Sequence, residues 1–209
     1  MPTPFTLSMK TLLVVIGLIV NFSGLAEARS VTSLLEIRRE NVVIQKWDLS
    51  CGAAALATLL NYQQGDFVTE KEIAKSLMSR PEYIKYPGLV TARQGFSLLD
   101  LKRYVDGRGY KGNGYGKLTF EDLLKKAPII VPVSIFGYNH FVIFRGMQGN
   151  RVLLADPAWG NRTMLVEAFE NIRIDFPQIG KVGFMITRLD GAEPLNNLAP
   201  KAKEFVMTR

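Results

Sequence analysis

The chain holds a single cysteine and a single histidine, so any thiol–imidazole chemistry must pair Cys51 with His140. A thiolate, not a thiol, is the effective nucleophile. In "QKWDLSCGAAALATLL" (Gln45 to Leu60) the cysteine stands where a small, Ala-rich helix is set to begin. Helix N-termini present unpaired N–H groups and a partial positive charge, which favour a thiolate beside them. A lone cysteine is more often just a buried apolar residue. His140 shifts that balance. It opens the strand-like run "HFVIFRG" after the turn "FGYN", where a fixed backbone can aim the ring into a cleft toward a partner on a distant helix.

Two further residues complete an acyl-transfer set. Asp156 closes the next run, "RVLLADP". If 140–145 and 151–156 pair as a hairpin across "GMQGN", the end of the second strand lies beside the start of the first. Asp156 can then hold the imidazole through its second nitrogen; a simple Asp-Pro turn is the plainer alternative. Acyl transfer also needs donors aimed at the oxygen that becomes negative. The side-chain amide of Gln45 and the backbone N–H of Cys51 are the candidates.

The elements that must position these residues follow from periodicity. A helix is predicted from Gly52 to about Tyr62, with Leu56, Leu59 and Leu60 at helical spacing. "TEKEIAKSLM" places Thr69 and Glu72 in capping-box positions, and Ser97 caps "LLDLKRYVDG", which ends at Gly107 or Gly109. Thr119 and Asp122 open "FEDLLKKA", which stops before Pro128. The Pro/Gly-bearing stretch from Arg80 to Gly95 reads as a loop, placed to line a peptide groove. After Pro128 come short β-branched and aromatic runs: "IIVPVSIF", "HFVIFRG", "RVLLADP" and "VGFMITRL" (Val182 to Leu189). Helices first and strands later predict an α+β fold, N-terminal helices packed on an antiparallel sheet.

The opening of the chain has the pattern of an export signal. Lys10 precedes an apolar stretch (Thr11 to Val20), and Ala26-Glu27-Ala28 gives the A-x-A pattern read by signal peptidase. That stretch is too short to cross a bilayer, which needs about 20 residues; an uncleaved anchor or a buried helix is the alternative. The expected organisation is a signal peptide at 1–28, one domain at 29–193 and a polar, loosely attached tail at 194–209. The expected location is periplasmic or secreted. The net charge of +7 is spread without blocks of like charge, which describes a solvated surface rather than a nucleic-acid footprint. One cysteine excludes an internal disulfide and a Cys-rich zinc site, and one histidine argues against a transition-metal centre. No cofactor is expected.

With these residues in hand, the chain resembles the bacteriocin-processing peptidases, papain-like cysteine peptidases that cut leader peptides, often after a double glycine. The likeness runs roughly from Val42 to Leu189. It rests on Gln45 with Cys51-Gly52, "GFSLLDLKRYVDGRGY", "HFVIFRG" and "VLLADPAWGNRTM". The resemblance implies a papain-like cysteine peptidase fold. It carries the family's catalytic Cys, His and Asp onto Cys51, His140 and Asp156, and its oxyanion-hole Gln onto Gln45. Two departures stand out. The family commonly has an acidic residue immediately before the cysteine, whereas here Ser50 stands there and Asp48 lies further back. Many relatives are the N-terminal part of an ATP-driven exporter; here "GNGYGK" lacks both the spacing and the Ser/Thr of a Walker A loop, so ATP is not expected to bind. The resemblance implies a stand-alone, exported endopeptidase. Its expected partners are a peptide or protein substrate, such as a secreted peptide or functional-amyloid subunit, and the export machinery, with no nucleic acid. The rival readings are a non-catalytic leader-binding or regulatory module, and a transglutaminase or cell-wall amidase built on the same Cys–His–Asp chemistry.

Overall fold

The computed structural model describes residues 32–207; the signal-peptide reading of 1–28 lies outside the described residues. Helix α1 (Leu34–Arg39) is followed by α2 (Cys51–Thr58), which continues as a π-helix over Leu59–Gln64. Next come α3 (Glu70–Met78), α4 (Pro81–Lys85), α5 (Leu89–Ala92) and α6 (Leu98–Asp106). Strand β1 (Tyr110–Tyr115) leads to α7 (Phe120–Lys126), then to β2 (Ile129–Ile135), β3 (Tyr138–Gln148), β4 (Arg151–Asp156) and β5 (Gly160–Leu165). The chain closes with α8 (Val166–Ile172), the two-residue strands β6 (Asp175–Phe176) and β7 (Gly180–Lys181), β8 (Gly183–Arg188) and α9 (Ala202–Met207).

Capping boxes set the starts of α1, α3, α6 and α7. Ser33, Thr69, Ser97 and Thr119 each accept from the N3 amide, while Glu36, Glu72, Asp100 and Asp122 reach back to the cap N–H. The main sheet runs in the order β1-β8-β2-β3-β4-β5, all neighbours antiparallel. Helices cover both faces. Leu56, Leu60, Ile73, Leu77, Leu101 and Val105 pack on one side with Ile130, Ile143 and Phe184. Leu123 and Phe169 pack on the other with Ile129, Val131, Val142 and Phe144. Adjacent residues Ile129 and Ile130 thus face opposite cores, as a pleat requires. A sheet buried on both faces explains why "IIVPV" shows no polar alternation.

The sheet is more extensive than the strand-like runs alone suggest. β1, "YKGNGY", has little β propensity; it is recruited because Gly112 lets the strand approach Lys102 Cα of α6, where a Cβ would sit at 3.0 Å. The stretch 80–95 is not a plain loop but contains α4 and α5. Pro81 occupies the first turn of α4, and Tyr83 is buried with its hydroxyl 2.5 Å from Asp100 Oδ2.

The segment after Pro194 is not a loose tail. Leu198 is fully buried, and Arg145 of β3, itself buried, reaches Leu198 O (2.8 Å), Asn161 Oδ1 (2.7 Å) and Glu204 Oε1 of α9 (2.6 Å). A buried guanidinium needs such partners, and among the described residues this segment supplies its carboxylate. No helix among the described residues is long and apolar enough to cross a membrane.

Candidate active site

Cys51 is the first residue of α2 and is buried. Gly52 lets the helix lie close to β3: a Cβ on it would meet the Phe141 ring at 3.2 Å. α2 and the strand that carries His140 are thereby drawn together. Ser50, the N-cap, makes no capping hydrogen bond. Its hydroxyl instead lies 2.6 Å from Trp47 O and 2.5 Å from Glu70 Oε1. Just before it, Leu49 adopts φ +66°, a left-handed conformation unfavourable for a branched side chain.

His140 is buried near the start of β3, and its Nε2 lies 2.8 Å from Asp156 Oδ1 at the end of β4. The pairing of β3 with β4 is antiparallel, with Ile143 opposite Ala155, which is what brings these two ends together. Burial acts to lower the pKa of His140. Hydrogen bonds to Asp156 and to Cys51, and the charges of both, outweigh it and push the imidazole up to about 9. With Nε2 committed to Asp156, Nδ1 remains for the sulfur.

Asp156 has no exposed surface, and burial alone would raise its pKa; His140 and Arg162 hold it below the ordinary carboxylate value instead. Its Oδ1 also accepts from the Ala158 N–H at 2.9 Å. Oδ2 faces Arg162 Nε at 2.9 Å, an ion pair without hydrogen-bond geometry. Gln45 is anchored through its backbone N–H to Pro157 O at 2.8 Å, so its loop is tied to the turn after Asp156. Its Nε2 donates to Trp47 O at 3.3 Å, and its Oε1 is buried without a hydrogen-bond partner among the described residues.

Sequence reasoning thus names Cys51, His140, Asp156 and Gln45, and misses Arg162 and Glu70. Arg162 had a signal. "DPAWGN" is a Gly-closed turn, and the strand returning from it carries Arg162 opposite Leu154, two residues before Asp156. Glu70 had none, because only folding brings α3 against the 46–50 loop.

A cavity of about 590 Å³ opens beside His140, walled by Phe96, Leu98, Tyr115, Phe141, Phe176 and Val182 and reaching Arg93 and Gln94. It is within the usual size of ligand clefts. Gln94 Oε1 accepts from the Asn139 N–H at 2.9 Å, fixing the end of the 80–95 stretch beside the histidine. Only that end, not the whole stretch, lines the cleft. Among the described residues no group of His, Cys, Asp and Glu side chains is placed to hold a metal ion.

Comparison with known proteins gives a consistent picture. The model of the Peptidase C39 family matches residues 39–172. Two curated relatives carry the name "Probable functional amyloid protease FapD". The protein from Pseudomonas aeruginosa is 38% identical over 141 residues, and that from Pseudomonas fluorescens 37% over 142. Each alignment takes in 68% of this chain and 60% of the relative; the chain therefore spans less than two thirds of their length. Two solved structures share the fold. One is a double glycine motif protease from an AMS/PCAT transporter in complex with the leader peptide (TM-score 0.55, 23% identity, 70% of this chain and 90% of that one). The other is the peptidase domain of Streptococcus ComA, a bi-functional ABC transporter of a quorum-sensing pathway (TM-score 0.56, 16% identity, 72% and 99%).

Proposed function

This chain belongs to the Peptidase C39 family, and from that premise we propose that it is a cysteine endopeptidase that cleaves a leader or other secreted peptide outside the cytoplasm. The observation that supports the chemistry is the buried His140, linked to Asp156 on one side and to Cys51 on the other. The Cys51 sulfur gives its proton to His140 and attacks the scissile carbonyl carbon, and the carbonyl π pair moves onto oxygen. Gln45 Nε2 and the Cys51 N–H donate to that oxygen. Collapse re-forms the carbonyl and expels the amine, which takes its proton from His140. Water then attacks the thioester, with His140 accepting a proton, and the acid leaves while the thiol–imidazole pair is restored. Asp156 keeps the ring oriented through both steps.

The apolar cleft beside His140 suits side chains flanking the scissile bond. The names of the Pseudomonas relatives support a functional-amyloid subunit as the client, with its export machinery as a partner. The apolar stretch Thr11 to Val20 followed by Ala26-Glu27-Ala28 supports a periplasmic or secreted location. Replacing Cys51 with Ala is expected to abolish cleavage of a peptide bearing a Gly-Gly leader junction without lowering the melting temperature. Turnover retained in that variant refutes the mechanism.

A further inference from the structure

Glu70 is buried and takes no part in the reaction steps above. It is the first residue of α3, 4% exposed, and its carboxylate grips one short loop at both ends. Oε1 and Oε2 lie 3.0 and 3.1 Å from the Lys46 N–H, next to Gln45. Oε1 also accepts from the Ser50 hydroxyl at 2.5 Å, next to Cys51. Between those ends the loop's side-chain ties are internal, Gln45 Nε2 and the Ser50 hydroxyl both reaching Trp47 O. Trp47 is 46% exposed and Asp48 is exposed, while Leu49 sits in the left-handed region. A negative charge does nothing to favour a thiolate nearby, so what this carboxylate offers the site is geometry. A buried carboxylate is retained only where its acceptor positions are used, and here both oxygens are spent on the loop between Gln45 and Cys51.

We propose that Glu70 is a positioning residue for the oxyanion site: it sets the separation between the Gln45 amide and the Cys51 N–H. This rests on the role given to those two donors under Proposed function. Ser50 is the relay through which one oxygen reaches the nucleophile, and Lys46 the point at which both reach the glutamine.

The test separates the oxyanion from the thiol. An acetylated Gly-Gly peptide aldehyde adds through its carbonyl carbon to the Cys51 sulfur, its carbonyl pair passing to an oxygen held in the oxyanion site. Iodoacetamide alkylates the same sulfur, displaces iodide and forms no oxyanion. Glu70→Gln keeps the shape but replaces one acceptor with a donor. It is expected to weaken the aldehyde and lower kcat by about tenfold, with KM and the alkylation rate changed by less than about twofold. Ser50→Ala, which removes the hydroxyl's contacts to Glu70 and Trp47 O but leaves Lys46 held by both carboxylate oxygens, is expected to give a smaller loss of the same kind. Gln45→Ala combined with Glu70→Gln should be little worse than Gln45→Ala alone, because both act on one donor pair. A loss in Gln45→Ala with none in Glu70→Gln overturns the role of Glu70 and leaves the oxyanion assignment standing. No loss in Gln45→Ala removes that assignment, and the proposal with it. A parallel fall in aldehyde affinity and alkylation, or a lowered melting temperature that accounts for both, shows that Glu70 serves the fold and overturns the proposal.

Discussion

Burial alone would strip the proton from His140; the Asp156 carboxylate at 2.8 Å and the Cys51 sulfur restore it, and the ring titrates near 9. A protonated imidazole is what the leaving amine needs, so activity should fall as pH rises through that value. Asp156→Asn removes the charge that opposes burial. The basic limb of the kcat/KM profile is therefore expected to move to lower pH, with kcat at its optimum down about tenfold or more. A limb that stays near 9 would show that Asp156 does not set the histidine's titration. Rarity made this residue set legible: with one Cys and one His, the pairing was forced. Arg162, one of 26 Lys+Arg, is marked only by the turn that precedes it, and nothing local marks Glu70 among 19 Asp+Glu as the one that folding brings to the site.

The helices whose first turns are written as Ser/Thr followed by an acid at N3 were readable because the signal is local. The capping boxes of α3, α6 and α7 start those helices where the spacing places them. β1 and β5 were not, since their pairing is decided by chain that lies far away in sequence or across a turn. Gly160, which opens β5, illustrates the hidden constraint. It has φ +81°, and a Cβ there would sit 2.3 Å from the Arg38 backbone oxygen of α1. Both the conformation and the contact exclude a side chain. Gly160→Ala is expected to cost about 3 kcal/mol of stability, read as a fall in the denaturation midpoint. Activity should fall with it, because the same strand carries Arg162. An unchanged midpoint would mean that α1 can retreat freely from the strand.

At the scale of the whole molecule, the sheet acts as a partition. One face holds α2, which starts at Cys51, with the helices packed beside it, and the other holds the core around Phe144 and Phe169. The α+β order was legible because the run of helices precedes most of the strands. The docking of 198–207 was not, because its key contact is a charge pair, Glu204 with Arg145, made across 59 residues of chain. Arg145, 1% exposed at its side chain, spends its guanidinium on that segment and on Asn161. Removing one partner of such a buried pair costs about 3–5 kcal/mol. A chain stopped at Asn197 is therefore expected to melt much earlier and to be cut readily in β3 by an added protease. Equal resistance in the shortened chain would show that the strap is dispensable.

That strap also imposes a schedule. Every strand of the sheet lies before Leu198 and Glu204 in the chain, so Arg145 gains its buried carboxylate only when the last segment docks. The strand that carries His140 is thus clasped by the final helix, five residues from the imidazole.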